Sequence, residues 1–312
     1  MTVGDPRGIG PEIVAKALAD PRVSERCDIV VVGPEGAGVA VGERVERWRP
    51  GSDASVAGRL SGLAIERAVR LALDGAVQGI VTAPIDKAAL HAGGYDFPGH
   101  TEMLASLTGS RVAMMLASDK LRVVLATTHI PLSEVTEKLT AESIVEAARI
   151  TRLGLQQWFG IAEPRIALCA LNPHAGDGGR FGSEDTELLA PAARAAGIAG
   201  PFSADTVFVR AMRGEFDAVI APYHDVGMTA IKVASFGSAV NITLGLPFPR
   251  TSPDHGTALD IAGQNRADPS SMIAATLLCA SIALRAHPSG GRPSYGDRPT
   301  ETRSSARPSR AQ

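Results

Sequence analysis

Val123-Val124-Leu125-Ala126-Thr127-Thr128-His129 is a short apolar run that ends in a histidine. Its length and its valines predict a buried β-strand. The same pattern occurs twice more along the chain, because His174 follows the apolar run 166–173 and His224 follows the run 218–223. Helix-like segments separate these runs. The alternation predicts an α/β fold with a largely parallel sheet.

Five short apolar runs are predicted to be strands, and four longer segments rich in Ala, Leu, Glu and Arg are predicted to be helices. The strands are Asp28–Gly33, Gly79–Ala83, Arg122–Thr127, Arg165–Leu171 and Asp217–Ala221. The helices are Leu60–Leu73, Ala141–Phe159, Glu184–Ala196 and Met272–Ala286. Another helix is predicted to begin at Gly10-Pro11-Glu12, because proline at the first helical position sacrifices no hydrogen bond.

Composition excludes several classes of protein. The chain has 312 residues, with 31 Lys and Arg against 33 Asp and Glu, and this balance argues against a dedicated nucleic-acid binder. No apolar run approaches the ~18–20 residues that cross a bilayer, so we expect no membrane span. Three widely spaced cysteines form no disulfide or zinc pattern, which favours a reduced, cytoplasmic setting.

The three histidines after strands predict a metal site. The carboxyl ends of parallel strands meet at one edge of a sheet, where ligands of α/β proteins bind. His129, His174 and His224 are therefore predicted to converge on one divalent cation. The sequence leaves open whether all three come from one subunit, or whether each is an ordinary hydrogen-bonded loop residue. Asp225, next to His224, is either a carboxylate that orients an imidazole or an ordinary turn carboxylate.

A second group of polar residues predicts an anion site. His100 and Thr101 follow a Pro-Gly turn and precede a helix-like run, where unpaired backbone N–H groups favour anions. Lys232, Asn241 and Arg250 follow at nine-residue intervals, and each offers donors suited to phosphate or carboxylate. The alternative interpretation is that the lysine and the arginine are surface charges.

Neither standard nucleotide fingerprint is present. Gly8-Ile9-Gly10-Pro11 lacks the third glycine of the Rossmann motif, since Ile13 stands at that position. The chain also has no Gly-Lys-Ser/Thr segment of the P-loop type.

Several motifs together resemble the 4-hydroxythreonine-4-phosphate dehydrogenase family of pyridoxal-phosphate biosynthesis. The similarity extends from Gly4 to about Ala286. The motifs are Gly4–Glu12, Pro98–Glu102, Asn172–Gly176, Tyr223–Asp225, Val240–Phe248, Arg250–Ser252 and Asp254–Ala258. One departure is Val226, where family members usually have glutamine.

The stretch His255–Gly263 is also similar to the adenine-side loop of isopropylmalate and isocitrate dehydrogenases. The resemblance implies two α/β/α domains with a cleft between them, and NAD or NADP bound without the Rossmann fingerprint. It places the first, cofactor-side domain at 1–130 plus 251–287 and the second, metal- and dimer-side domain at 131–250. Residues 288–312 are expected to be a disordered tail. The resemblance also implies that His255, Gly256, Thr257 and Asp260 contact the cofactor.

The resemblance also implies the roles of the site residues. His129, His174 and His224 would bind one Zn, Mg or Co ion, and His100, Thr101, Lys232, Asn241 and Arg250 would hold a small phosphorylated substrate. The enzyme would be a homodimer, with the active site at the subunit interface and a histidine of the partner completing the metal site. Lys232 and Asp205 are candidates for the catalytic base.

The implied reaction is oxidation of 4-phosphohydroxy-L-threonine at its C3 hydroxyl, followed by decarboxylation to 3-amino-2-oxopropyl phosphate. Three alternatives stay open. They are a paralogous 4-phospho-D-threonate or 4-phospho-D-erythronate dehydrogenase, a three-histidine metallohydrolase, and a non-catalytic relative that binds a phosphometabolite.

Overall fold

The computed structural model describes residues 1–235 and 238–286. Within them, an eight-stranded sheet in the order β3-β10-β9-β4-β5-β8-β6-β7 lies beside a two-stranded sheet, β1-β2. The strands are β1 (Val32–Glu35), β2 (Glu43–Arg47), β3 (Ile80–Val81), β4 (Ala113–Ala117), β5 (Arg122–Leu125), β6 (Ile166–Cys169), β7 (Ala199–Phe202), β8 (Ala218–Ala221), β9 (Val240–Leu244) and β10 (Arg250–Pro253).

The helices confirm most of the sequence-based expectations. They are α1 (Gly10–Leu18), α2 (Pro21–Ser24), α3 (Ala54–Leu73), α4 (Lys87–Ala92), α5 (His100–Thr108), α6 (Val135–Lys138), α7 (Ala141–Phe159), α8 (Ala190–Ala196), α9 (Ala204–Met212), α10 (His224–Ser235) and α11 (Ser270–Ala286). α7 has the predicted bounds, since Thr140 caps its start and Gly160 its end. The predicted helix 184–196 begins instead as a π-helical turn, Asp185–Leu189.

The α/β class is confirmed, but the sheet is mixed rather than largely parallel. β4 pairs antiparallel with both β5 and β9, and β9 pairs antiparallel with β10. The reason is the length of the connections, because four residues join β4 to β5 and five join β9 to β10. A parallel pair needs a crossover of about a dozen residues or more.

The first residues of the chain link the two sheets. Thr2 forms parallel bridges to Val32 of the small sheet and to Thr82 beside the large one. The backbone N–H of Val3 donates to the carbonyl of Val32, and the N–H of Thr2 donates to that of Val81. The three residues before the Gly4-Asp5-Pro6 turn therefore pair with both sheets as a short strand would.

Helices cover both faces of the large sheet. Met115, Val124 and Ile242 face the main core, to which α1, α7 and α11 also contribute buried residues. Their neighbours Leu116 and Val123 face the opposite side and pack in a second core with residues of α9 and α10. Because successive strand residues alternate between faces, residue numbers alone assign each side chain of β4, β9 and β10 to one of the two faces of the sheet.

The division into two domains stays a prediction, and the large sheet contains strands from both predicted domains. The predicted disordered tail, 288–312, lies outside the described residues. In the described ranges, no helix combines the length and the apolar character needed to span a lipid bilayer.

Candidate active site

A cavity of about 480 Å³ lies on the α10 side of the large sheet. Residues of β4, β9 and β10, residues that follow β3 and β5, and residues of α4, α5 and α10 line it. Seven of the eight residues predicted to bind the metal or the substrate are among them, and the exception is His174. The polar lining includes Thr82, Lys87, His100, Thr101, Glu102, His129, His224, Thr229, Lys232, Asn241, Arg250, Ser252, Asp254 and His255.

The antiparallel strands build the floor of this cavity. Asn241 of β9 lies between Ser252 of β10 and Leu116 of β4 in register, so these three side chains share a face. Arg250, two residues from Ser252, falls on the same face by the period of two. The nine-residue spacing between Asn241 and Arg250 is therefore produced by two neighbouring strands, whereas Lys232 lies on α10.

Arg250 is the most unusual residue of the floor. Its side chain is 1 % exposed, and its two terminal nitrogens donate to the hydroxyls of Thr243 (2.9 Å) and Thr82 (2.6 Å). Burial lowers the pKa of its guanidinium to about 10, which leaves it charged at neutral pH. Within residues 1–235 and 238–286, no carboxylate lies within ion-pair distance of the Arg250 guanidinium. A buried charge of this kind is costly unless a counter-ion joins it.

Three buried polar atoms of the cavity wall have no hydrogen-bond partner in the described chain: Nε2 of His100, Oδ1 of Asn241 and Nε of Arg250. Each such atom costs ~1–3 kcal/mol until a ligand satisfies it. Burial lowers the pKa of His100 well below its usual value, and the charges of Arg250 and Lys87 lower it further. His100 is therefore neutral at pH 7. The cluster is suited to an anion that carries several oxygens, such as phosphate.

His129 and His224 meet as the sequence predicts. Their ring centroids lie 5.5 Å apart, because they follow β5 and β8, which are parallel neighbours in the sheet. Nδ1 of His224 lies 2.7 Å from Oδ1 of Asp225, as expected for a carboxylate that orients an imidazole. Burial lowers the pKa of His129, and the nearby Lys87 and His224 lower it further. Neutral imidazoles are competent metal ligands.

His174 does not join this pair in a single chain. It lies in a turn after β6, with its ring 6.3 Å from that of Phe181, and it is not among the residues that line the cavity. No group of three metal-ligating side chains converges within the ranges that the structure describes. Within one chain, His129 and His224 therefore meet without His174, and the convergence of all three histidines on one cation stays a prediction. The carboxylate of Asp185 accepts the backbone N–H groups of Leu171 and Asn172 and fixes the start of the turn.

The turn at His174 has an unusual backbone. Six successive residues have positive φ angles, from His174 (54°) to Gly179 (94°), and three of them are not glycine. A left-handed conformation costs a residue with a Cβ atom ~1–2 kcal/mol. The backbone is therefore strained at His174, the one predicted metal ligand that does not line the cavity of its own chain.

The remaining candidates divide into two groups. Lys232 lies two turns after His224 on α10, and its Nζ is 3.8 Å from Oδ2 of Asp254. His255 and Gly256 line the cavity, whereas Thr257 and Asp260 belong to the loop that leads away from it. Asp205 is exposed at the start of α9, outside the cavity lining.

Val226 packs with the second core instead of lining the cavity. The side chain at the position where family members usually have glutamine is therefore not part of the cavity wall in this protein.

Sequence reasoning missed three charged residues of the wall: Lys87, Glu102 and Asp254. Lys87 follows β3 as His129 follows β5, so the rule of polar residues after strands would have found it. Glu102 and Asp254 lie within the family motifs Pro98–Glu102 and Asp254–Ala258, but the residue types alone indicate no role for them. The polar partners of Arg250, Thr82 and Thr243, gave no signal, because a threonine in an apolar run is typical of any strand.

Comparison with known proteins identifies one family. The family described as "Pyridoxal phosphate biosynthetic protein PdxA" matches residues 14–279. A curated relative from Geobacter metallireducens, named 4-hydroxythreonine-4-phosphate dehydrogenase, is 44% identical over 94% of this chain and 97% of its own. Another from Cupriavidus necator, named D-threonate 4-phosphate dehydrogenase, is 43% identical over 91% of this chain and 97% of its own.

Solved structures identify the same family. The crystal structure of 4-hydroxythreonine-4-phosphate dehydrogenase from Klebsiella pneumoniae is 40% identical and covers 90% of this chain and 98% of its own, with a TM-score of 0.82. A β-decarboxylating dehydrogenase from Thermococcus kodakarensis shares the fold at 16% identity, with a TM-score of 0.53 over 88% of this chain and 80% of its own. The predicted relation to decarboxylating dehydrogenases is confirmed at the level of the fold.

The strain in the His174 turn gives a test of the backbone. We expect Ala175→Gly to raise the free energy of unfolding by ~1 kcal/mol, because glycine adopts a φ of 55° without a Cβ clash. Ala195, exposed on α8, is the matched control, and Ala195→Gly should lower that free energy by ~1 kcal/mol. Urea unfolding measures both. Destabilisation by Ala175→Gly as large as the control's would contradict the left-handed turn.

Proposed function

This chain belongs to the PdxA family of pyridoxal phosphate biosynthetic proteins, and on that premise we propose that it oxidises 4-phosphohydroxy-L-threonine. The C3 hydroxyl becomes a ketone, and the resulting β-keto acid loses carbon dioxide to give 3-amino-2-oxopropyl phosphate. The observation that carries the proposal is the buried, unpaired cation of Arg250 in the same cavity as the His129–His224 pair. One cavity thus combines a phosphate-binding end with a pair of metal-ligating groups.

The protein supplies position and electrostatics in this reaction, and the cofactors supply the chemistry. The nicotinamide would be the hydride acceptor for C3, and a divalent cation held by His129 and His224 would supply a Lewis acid for the negative charge on the C3 oxygen. Lys232 is our candidate for the group that takes the hydroxyl proton, since it lines the cavity on the same helix as His224.

His100, Asn241 and Arg250 hold the phosphate, with Thr101 beside them. The support for this role is their shortage of partners, because a phosphate can satisfy the buried nitrogens of His100 and Arg250. Asn241 donates to the phosphate through its amide NH₂ when the amide is rotated by half a turn, which exchanges the positions of its oxygen and its nitrogen. The dianion also neutralises the one buried guanidinium that the floor leaves unpaired.

The histidine pair fits a divalent metal. Two imidazoles with neighbouring rings, one of them oriented by a carboxylate, form two thirds of a three-histidine site. We assign the third position to His174 of the partner subunit, so that the enzyme is a homodimer with its active site at the interface. Imidazole donors suit Zn or Co better than Mg.

The cofactor binds along the loop after β10. We assign His255 and Gly256, which line the cavity, to the reacting end of the cofactor, and Thr257 and Asp260 to its adenine end. The loop marks no preference between NAD and NADP. Cys27, Cys169 and Cys279 are all free, as suits an enzyme of the reducing cytoplasm.

A second candidate activity is oxidation of 4-phospho-D-threonate or 4-phospho-D-erythronate. It is favoured by the Cupriavidus necator relative, whose 43% identity is nearly the same as that of the relative named for the threonine substrate. All these substrates carry a phosphate and a carboxylate, so the phosphate-binding residues do not discriminate between them.

A substrate panel tests the proposed reaction. We expect the purified protein with Zn²⁺ or Co²⁺ to reduce NAD or NADP when 4-phosphohydroxy-L-threonine is added, with release of one carbon dioxide for each hydride. Turnover only with 4-phospho-D-threonate or 4-phospho-D-erythronate would assign the second activity. Release of phosphate without cofactor would indicate a metallohydrolase, and binding without turnover would indicate a phosphometabolite-binding protein.

A shared metal site predicts complementation between two inactive variants. We expect His129→Ala and His174→Ala each to abolish turnover as homodimers. When the two chains are co-expressed, a mixed dimer contains one site with all three histidines, so about a quarter of the wild-type activity should return. A mixture of His129→Ala and His224→Ala chains is the control and should stay inactive, because both residues lie on the same side of the site. Failure of the first mixture would contradict the partner's role.

A further inference from the structure

The loop between β10 and α11, residues 254–269, has no regular secondary structure. Most of its residues are exposed, and the buried Ala267 lies near its end. Ala258 (φ 41°) and Asn265 (φ 56°) adopt left-handed backbone conformations that residues with a Cβ atom avoid. The loop therefore depends on contacts with the rest of the protein to keep its shape.

α1 and the residue before it provide such contacts at two places. Near the start of the loop, the N–H of Ile9 donates to the carbonyl of Thr257 at 2.9 Å. This approach requires Gly8, because a Cβ atom there would lie 2.8 Å from the same carbonyl oxygen. Near the end of the loop, the N–H of Ala267 donates to Oε1 of Glu12 at 2.7 Å.

Lys16 completes the attachment one turn further along α1. Its Nζ donates to the carbonyls of Ala267 at 2.8 Å and Asn265 at 3.3 Å, and to Oε1 of Glu12 at 2.8 Å. One lysine thus joins the helix to two loop carbonyls that lie about 250 positions away in sequence. Both side chains are largely covered, with 14 % of Glu12 and 31 % of Lys16 exposed, which protects the ion pair from solvent screening.

We propose that Glu12 and Lys16 are positioning residues for the nicotinamide cofactor. They touch neither substrate nor reacting atoms, and act by holding the loop 254–269 in the shape that binds the cofactor. This inference rests on the proposed function, because it takes the loop as the cofactor site. It predicts that the pair controls cofactor affinity and leaves substrate affinity and the chemical step alone.

The size of the effect follows from the population of the ordered loop. When only a fraction of molecules has the competent loop, the apparent dissociation constant rises by the inverse of that fraction. If Lys16→Met leaves the loop ordered in about one molecule in ten, cofactor binding weakens about tenfold. Methionine keeps the aliphatic stem of lysine, so packing against α1 is preserved.

The test compares Lys16→Met with a control variant, Arg149→Met, which removes one partner of a similar ion pair with Glu146 on α7. Fluorescence titration with NADH and NADPH gives the dissociation constants, and steady-state kinetics give the KM of each substrate. We expect Lys16→Met to raise the dissociation constant and KM of the cofactor about tenfold, with kcat and the KM of the phosphorylated substrate within about twofold of wild type. Lys16→Arg, which keeps the charge, should recover most of the loss. Arg149→Met should change none of these values.

Hydrogen–deuterium exchange without cofactor gives an independent readout. We expect faster exchange in the peptide 256–267 of Lys16→Met, and unchanged exchange in the central strands. An unchanged cofactor dissociation constant, or an unchanged loop exchange rate, would overturn the proposal. Equal losses in kcat and in both affinities would assign the pair a purely structural role. Wild-type protein that binds neither cofactor would overturn the proposed function and this inference together, even if the exchange result showed that the pair orders the loop.

Discussion

The buried guanidinium of Arg250 is the interaction on which the site depends. Two threonine hydroxyls satisfy its terminal nitrogens, and no carboxylate of the described residues forms an ion pair with it, although the negative charge of Glu102 favours its charged form. Hydroxyls are weak compensation for a charge taken out of water, so the apo protein bears a cost that only an anion removes. A surface arginine would bind phosphate with less discrimination, because water and salt would compete for it.

The mixed sheet explains how the chain bears that cost. Antiparallel pairing of β4, β9 and β10 places Asn241, Ser252 and Arg250 on one face, and Thr82 after β3 reaches the guanidinium from the side. The parallel neighbours β5 and β8 place His129 and His224 at the same cavity. Two pairing patterns in one sheet thus supply two kinds of ligand: polar side chains from strand faces and imidazoles from strand ends.

Much of this arrangement could be predicted from the sequence, and the exceptions have physical causes. Strands ending in histidine gave the correct class of fold and the correct meeting of His129 with His224. The rule fixes only where a strand ends, so it could not predict that a left-handed turn after β6 keeps the ring of His174 outside the cavity of its own chain. β4, β9 and β10 were not predicted as strands. β9 and β10 carry polar site residues that interrupt the apolar pattern of a buried strand, whereas β4 is apolar throughout but lacks the β-branched residues typical of strands. The contacts of Lys16 with Asn265 and Ala267 join distant parts of the sequence and had no local signal.

The central claim is that Arg250 recognises a phosphate, and calorimetric titration tests it most directly. The affinities of wild type and Arg250→Met are measured for 4-phosphohydroxy-L-threonine and for 4-hydroxy-L-threonine, which lacks the phosphate. A lost charge-assisted hydrogen bond of ~1.5–3 kcal/mol corresponds to a factor of ~10–100 in affinity. The account predicts that wild type strongly prefers the phosphorylated ligand and that the variant loses a factor of this size in preference. An equal preference in both proteins would contradict it.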